Sequence, residues 1–304
     1  MKKKKIEWKH WLPFYIMGLP GLVYMIINNY LPLAGLQIAF KRYDYGKGMW
    51  ASMWNNFENF KFLVSSDDMV IIIRNTILYN LVFIVLGIVV GVTAAILINE
   101  VRSKVAKQVY QTTVLLPYLM SMVIVAYLAY VFLAPDSGLI NGVISKLGGE
   151  KIPWYTEKKF WPFILVFINQ WKTVGFGMVL YLSALVGISG DYYEAAMLDG
   201  ATKWQQIKHI TLPLLKPMII TMLILNCGHI MKSDFGLFFQ VPQNSGLLYS
   251  VTDTIDTYVY RMLMQRNNIG VSSAAGFIQS VVGFGLVLLV NGVIRKINKD
   301  DALF

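Results

Sequence analysis

The chain is poor in the residues that staple or ligate small soluble domains. Among 304 residues it has one cysteine, Cys227, and three histidines. A single thiol can form no internal disulfide and no multi-thiolate metal site. The histidines His10, His209 and His229 lie in separate segments, so no two share a helix face as in a helical zinc site. The sequence therefore predicts no resident metal.

Charge is also scarce. Only 14% of the residues are charged and 56% are hydrophobic, a composition outside the range of ordinary soluble domains and typical of an integral membrane protein. The formal net charge is +10, but no basic and aromatic cluster on a soluble domain accompanies it, so nucleic acid is not the expected partner. Basic ends beside apolar runs fit the anionic headgroups of membrane lipid instead.

The chain lacks a nucleotide-binding loop. The nearest candidate, Gly148-Gly149-Glu150-Lys151, does not have the spacing of a phosphate-binding loop. We therefore expect that the chain is not an enzyme, holds no cofactor and cannot hydrolyse ATP by itself. An energy-coupled role would need a separate ATPase chain that binds ATP and Mg.

Apolar runs long enough to cross a bilayer dominate the sequence. They cover about residues 11–33, 75–99, 117–134, 161–188, 214–235 and 271–294, and a helix rising ~1.5 Å per residue can cross a ~30 Å hydrocarbon core over such lengths. The sequence predicts an all-α membrane protein with six transmembrane helices over 11–294 and short tails at 1–10 and 295–304. Pro117 is expected to open the third span. In the second span, Gly87, Gly91 and Ala95 form a small-residue stripe expected to face protein.

The orientation follows from the first residues. Lysines at 2–5 and 9 precede the first run, which favours a cytoplasmic N-terminus, and six crossings return the C-terminus to the same side. The first run is long and no small-residue cleavage site follows it, so we expect no removable signal peptide.

A polar segment at 191–213 separates the fourth and fifth runs and carries strong helix signals. Asp191 with Glu194, and Thr202 with Gln205, have the form of capping boxes. Gly200 can make the turn between two short helices, and Pro213 is expected to end the second. The second helix is amphipathic, with Trp204, Ile207 and Ile210 on one stripe. A folded helical elbow between two apolar spans is a docking surface.

This segment resembles the EAA signature of ABC importer permeases. The resemblance is carried by Glu194-Ala195-Ala196, Asp199-Gly200-Ala201, Ile210, Leu212-Pro213 and Pro217. It implies a cytoplasmic coupling loop that inserts into a groove of an ATPase. The residues expected to couple are Glu194, Ala195, Ala196, Asp199, Gly200, Ala201, Trp204, Ile207, Ile210 and Pro213. Glu194 is expected to be a polar anchor to the ATPase, while Trp204 and Ile207 pack the second helix against its neighbour.

More of the chain is similar to the polysaccharide-permease branch of the maltose-type importers. The matching pieces are Ala39-Phe40-Lys41 with Tyr43, Asn75-Thr76, Trp171-Lys172 with Gly175, Asp256 to Arg261, and Ala274-Ala275-Gly276 with Asn291. The resemblance implies a permease of the bacterial cytoplasmic membrane that imports oligosaccharides or polysaccharide fragments by alternating access. The implied partners are a second homologous permease, two ATPase subunits and an extracytoplasmic sugar-binding protein.

Polar side chains inside the apolar spans are costly and are therefore candidates for the substrate pathway. They are Asn169, Lys172, Asn226, His229, Lys232 and Gln279. In the fifth span, Asn226, His229 and Ser233 are predicted on one helical stripe. Amide and charged groups near aromatic rings suit a sugar, but the same groups can instead form hydrogen bonds between helices.

Other functions stay open at this point. An importer permease for a non-sugar solute fits the coupling signature equally well. An ATP-independent carrier would usually show repeated broken helices with ionisable residues at mid-depth, and an intramembrane enzyme would need a convergent catalytic constellation. Neither pattern is present in the sequence.

Overall fold

The computed structural model describes residues 8–65 and 68–297, and these are predominantly helical. The described part of the chain divides into two compact units. Unit 1 comprises residues 8–65 and 261–278, and unit 2 comprises residues 68–260 and 279–297. Most of the tails predicted at 1–10 and 295–304 lies outside the described residues.

Unit 1 starts with a long exposed helix and continues into a small folded motif. Helix α1 (Trp8–Met25) runs through a π turn (Ile26–Tyr30) into a 3-10 helix (Leu31–Phe40), so the apolar rod is longer than the predicted 11–33. No residue in its most apolar stretch is buried within the chain. The motif that follows has the elements β1 (Lys41–Arg42), α2 (Gly48–Ala51), β2 (Met53–Trp54) and α3 (Glu58–Val64), with β1 and β2 antiparallel.

Unit 2 is a bundle of long helices. Its first elements are α4 (Asp68–Asn99), α5 (Lys104–Leu119), α6 (Met122–Leu133), α7 (Leu139–Lys146), a 3-10 turn (Lys158–Phe160) and α8 (Trp161–Val186). After these come α9 (Asp191–Leu198), α10 (Lys203–Gln206), a π turn (Ile207–Thr211), α11 (Leu212–Gly228), a π turn (Gly236–Gln240), a 3-10 turn (Gly246–Leu248) and α12 (Tyr249–Thr252). The helices α13 (Ile255–Met264) and α14 (Ile269–Ile297) each contribute residues to both units.

Within the described residues, five helices are long and apolar enough to span a membrane, or six if one bent pair counts as a span. That pair is α5 and α6, which meet at 95°. Pro117 lies inside α5 near its end, so the prediction that it opens the third span is wrong. The second helix of the pair, α6, begins directly after Ser121. The Ser121 hydroxyl caps α6 by accepting a hydrogen bond from the Ile124 amide.

The fifth span differs from the prediction at both ends. Pro213 does not end the preceding helix, because Lys203–Gly228 is one continuous rod in which a π turn leads directly into α11. Proline is tolerated at Pro213 because it lies in the first turn of α11, where its missing N–H is least costly. The rod ends at Gly228, before the predicted end near residue 235, so Ser233 does not continue a helical stripe with Asn226.

Close backbone packing holds the bundle together. Two of the three residues of the small-residue stripe of α4 face protein as predicted, since Ala95 is fully buried and Gly91 lies against the Tyr181 ring, whereas a Cβ on Gly87 would meet nothing within 4 Å. Glycine is also required where α8 crosses α5, because a Cβ on Gly175 would lie 2.2 Å from the Val114 carbonyl oxygen. Small residues that bring backbones together are a usual means of joining helices in lipid.

This crossing gives a direct test of the packing. We expect Gly175→Ala to lower the thermal unfolding midpoint of the purified protein, because overpacking a tight contact costs ~1–3 kcal/mol or more. The matched control is Gly177→Ala, in the same helix, where an added Cβ meets nothing within 4 Å. Equal midpoints for the two variants would show that the α5–α8 contact is not as close as described.

Candidate coupling segment and polar cavity

The segment between α8 and α11 folds into two short helices joined by a sharp turn. Gly200 has φ +77°, a left-handed conformation that favours glycine, and the Ala201 amide donates back to the Ala196 carbonyl at 2.9 Å. The predicted turn at Gly200 is therefore confirmed. The predicted capping box at Asp191 is wrong. Asp191 is the first residue of α9, the N-cap is Gly190, and no side chain caps the helix.

Helix α10 and the π turn hold this segment on the long rod. The capping box of Thr202 and Gln205 is present as predicted. The Tyr193 hydroxyl of α9 lies 3.1 Å from the Thr211 hydroxyl in the π turn. The buried amide of Gln206 donates to the Ala201 carbonyl at 3.4 Å. The elbow is thus attached to the rod by polar contacts on either side of its turn.

The outer face of the elbow is open and partly apolar. No residue of α9 is buried. Leu198 is 90% exposed and Trp204 is 69% exposed, with Tyr192 and Met197 also exposed. Most of the Trp204 side chain is therefore left uncovered by this chain, although it was expected to pack the second helix against its neighbour. An apolar surface framed by the carboxylates of Glu194 and Asp199 has the character of a protein contact.

The candidate coupling residues fall together on this segment. Those that are exposed are Glu194, Ala195, Asp199, Gly200, Trp204 and Pro213. Those that are half-buried are Ala196, Ala201, Ile207 and Ile210. The segment also contacts the end of α4 through a Lys203–Glu100 ion pair of 3.0 Å. Both partners of that pair are exposed, so it contributes little to stability.

A cavity of about 310 Å³ opens between α4, α8 and the end of α11, and its lining is mostly apolar; we call it the polar cavity because several polar side chains meet there. Four of the six candidate pathway residues line it, and they are Asn169, Asn226, His229 and Lys232. The ring of Phe83 and the side chain of Asp234 also line it. The sequence predicted these polar residues separately, and the fold brings them to one space.

The polar groups of this cavity differ in how far the protein satisfies them. Asn226 donates to the Met222 carbonyl at 2.8 Å, and Nδ1 of His229 lies 3.0 Å from the Leu225 carbonyl. Asn169 is 9% exposed, and among the described residues its side-chain amide has no hydrogen-bond partner. Buried amides normally have a hydrogen-bond partner. The side-chain amide of Asn169 can therefore bind a water or a solute in the cavity.

The other two candidates have bonds elsewhere. The Lys172 ammonium donates to the carbonyls of Met120 at 2.6 Å and Tyr118 at 3.1 Å, where α5 ends. A cation there satisfies free carbonyls and complements the helix dipole. Gln279 is buried and donates to the Met231 carbonyl at 2.9 Å. Neither residue lines the cavity.

Sequence reasoning missed Asn80. Its amide donates to the carbonyls of Thr76, Ile230 and Lys232 at 2.8, 2.9 and 2.9 Å, so it ties the chain after α11 to α4. Asn80 is a polar residue inside an apolar run, and the criterion that selected Asn169 would have found it.

Asp256 also holds the turn after α11. Its carboxylate accepts hydrogen bonds from the Ser233 amide and hydroxyl at 2.6 and 2.8 Å.

Comparison with known proteins identifies the kind of molecule that carries these two sites. A family model described as "Binding-protein-dependent transport system inner membrane component" matches residues 87–299, which include the elbow and the four candidate pathway residues of the cavity. The chain belongs to this family. It is therefore an inner membrane component, in agreement with its several membrane-length helices.

Relatives of this inner membrane component cover nearly its whole length. "Protein LplB" of Bacillus subtilis (strain 168) is 35% identical over 290 residues, which are 95% of this chain and 90% of that protein. "Polygalacturonan/rhamnogalacturonan transport system permease protein YteP" of the same organism is 32% identical, over 94% of this chain and 88% of that protein. Both matches extend into the residues before 87, which the family model does not reach.

A solved structure has the same fold. It is the crystal structure of a bacterial ABC transporter involved in the import of the acidic polysaccharide alginate. The TM-score is 0.87 at 34% identity, with 96% of this chain and 98% of the solved chain covered. A second crystal structure shows the alginate transporter in complex with a periplasmic protein that holds an alginate pentasaccharide. The fold described above is that of an ABC importer permease.

Two of the three asparagines that line the cavity, Asn80 and Asn169, allow a matched test. We expect Asn80→Leu to lower the free energy of unfolding by ~1–3 kcal/mol, because it leaves carbonyls of the turn after α11 without their donor. Asn169→Leu breaks no hydrogen bond to the described protein and should leave stability nearly unchanged. Thermal unfolding midpoints of the purified variants in one detergent measure the difference. A larger loss from Asn169→Leu than from Asn80→Leu would contradict this assignment.

Proposed function

We propose that the chain is a transmembrane permease subunit of an ATP-driven, binding-protein-dependent importer of oligosaccharides or polysaccharide fragments. One observation carries the proposal: the exposed elbow and the polar cavity lie at the two ends of one helical rod, Lys203–Gly228. A partner that grips the elbow can therefore act on the cavity. Family membership and the saccharide names of the relatives support the same function.

The elbow is proposed to dock on a cytoplasmic ATPase. Glu194 would be a polar anchor, and the exposed Leu198 and Trp204 would enter an apolar part of the ATPase groove. Gly200 sets the angle between α9 and α10 and lets the partner approach the backbone closely. ATP and Mg would be bound by that ATPase, since this chain has no phosphate-binding loop.

The cavity is proposed to belong to the sugar pathway. Asn169, Asn226 and His229 can donate hydrogen bonds to sugar hydroxyls and accept hydrogen bonds from them, Lys232 can donate to them, and Phe83 offers an apolar surface. Lys172 and Gln279 are proposed to hold the helices around the pathway, because their polar groups are already bound to backbone carbonyls.

The assembly follows from the energy source. A second homologous permease would complete the pathway, two ATPase subunits would bind the two elbows, and an extracytoplasmic protein would deliver the sugar. Closure of the ATPase dimer on ATP would push the elbow, and the rod would carry the movement into the membrane. The pathway would then change from one side of access to the other. Both termini and the elbow would lie in the cytoplasm.

Charge reversal at the elbow tests the proposed coupling. We expect Glu194→Lys to reduce ATP-dependent uptake at least a hundredfold, because repulsion would replace the polar anchor, while the protein still inserts in the membrane. Uptake of the oligosaccharide by proteoliposomes, and co-purification of the ATPase, are the measurements. The control is Glu150→Lys, the same reversal at an exposed residue after α7. Full uptake by the Glu194→Lys importer would refute the coupling role.

A further inference from the structure

A second polar pocket, formed wholly by residues of unit 1, is separate in sequence from the residues of the cavity. It has a volume of about 460 Å³ and lies where β1 and the start of α3 meet the residues that precede and open α14. The residues that matter for its chemistry are Arg42, Tyr43, Tyr45, Asn55, Glu58 and Arg266. Neither the family match nor the coupling mechanism gives this pocket a role.

The pocket has cations that the protein does not use. Arg42 and Arg266 are exposed, and their guanidinium groups have no hydrogen bond or ion pair to any other described residue. Lys41 is different, because it is buried and its ammonium donates to the carbonyls of Met49 and Trp50 at 2.9 and 3.2 Å. Glu58 supplies the one carboxylate of the lining. The free arginine donors favour an anion, and a planar carboxylate fits the guanidinium fork.

The remaining lining suits a sugar ring better than a bare anion. The rings of Tyr43 and Tyr45 stand edge to face, 5.1 Å apart, beside the arginines. The side-chain oxygen of Asn55 is buried and accepts no hydrogen bond within the described part of the chain. Buried acceptors normally have a donor, and a sugar hydroxyl can supply one once the Asn55 side chain turns toward the pocket. Aromatic rings can meanwhile cover the C–H face of a pyranose.

The backbone around the pocket is held in place without a ligand. Asn59 donates to the carbonyls of Ala39 and Lys41 at 2.9 and 3.0 Å. The side-chain oxygen of Asn268 accepts from the Val271 amide at 3.1 Å. Gly270 lies so close to Asn59 that a Cβ would be 2.8 Å from its amide atoms. The residues that carry the pocket are therefore fixed before a ligand arrives, which lowers the cost of binding.

We propose that this pocket binds a uronic acid unit of an acidic oligosaccharide. Arg42 and Arg266 bind its carboxylate, the side-chain oxygen of Asn55 accepts a hydrogen bond from a hydroxyl, and the two tyrosines contact the ring. The inference rests on the proposed function, which supplies an oligosaccharide and places the segment after the first span on the outer side. It adds to that function a preference for carboxylated sugars and a second contact outside the cavity.

Binding to the intact importer tests this pocket. The importer in lipid nanodiscs, without its sugar-binding protein, is titrated with trigalacturonate at low salt by calorimetry. We expect the double variant Arg42→Gln/Arg266→Gln to bind at least tenfold more weakly, and Asn55→Ala to weaken binding several-fold. The control Lys146→Gln/Lys158→Gln removes two exposed cations outside the pocket and should bind as the wild type does. Thermal unfolding confirms that each variant is folded.

Two further ligands separate the source of the affinity. The methyl-esterified trisaccharide should bind the wild type at least tenfold more weakly than trigalacturonate does. It should bind the double variant and the wild type with equal affinity. Inorganic phosphate at the same concentration should bind more weakly than trigalacturonate. Phosphate binding as tight as that of the trisaccharide would show a simple anion site and overturn the proposal.

The outcome is separable from the proposed function. The Glu194→Lys importer should bind trigalacturonate like the wild type, because the elbow plays no part in the pocket, although its uptake falls at least a hundredfold. A wild-type importer that transports a neutral oligosaccharide but does not bind trigalacturonate would disprove the pocket and leave the importer intact. Unchanged trigalacturonate binding by the double variant would also disprove it.

Discussion

The continuity of one helix is the constraint on which the two sites of this permease depend. The rod Lys203–Gly228 begins at the exposed elbow and ends where Asn226 lines the polar cavity. A hydrogen-bonded helix is stiff along its axis, so a displacement at one end reaches the other. If the helix ended at Pro213, a loop would connect the elbow to the rest of the fifth span. The π turn at Ile207–Thr211 prevents that break, because the Leu212 amide donates to the Ile207 carbonyl five residues back.

Local signals in the sequence predicted those parts of the fold that short-range contacts determine. Gly200 takes the left-handed turn, and the capping box at Thr202 forms, because both depend on a few neighbouring residues. The apolar runs placed the membrane helices because a hydrocarbon environment demands length and apolarity. Two of the bounds that failed involve prolines. Pro117 and Pro213 suggested a helix start and a helix end. Instead, Pro117 lies inside α5 and Pro213 lies in the first turn of α11.

Tertiary packing determined what the sequence left open about the sites. Asn169 and Lys172 both looked like pathway residues, but only Asn169 faces the cavity, since the broken pair α5 and α6 brings two carbonyls to the Lys172 ammonium. Asn80 joins α4 to residues more than a hundred positions later, and no local pattern announces such a partner. The pocket of unit 1 likewise combines Arg42 and Arg266, which lie far apart in the sequence.

The most direct measurement is a pair of distances in the assembled importer. Spin labels at Lys208→Cys near the start of the rod and Leu225→Cys near its end, with Cys227→Ser, report the rigidity of the rod by double electron–electron resonance. A label at Leu81→Cys on α4 replaces that at Leu225 for the second distance. With the ATPase bound, we expect ATP to leave the 208–225 distance unchanged and to shift the 208–81 distance. An ATP-dependent change between 208 and 225, with none between 208 and 81, would contradict transmission through the rod.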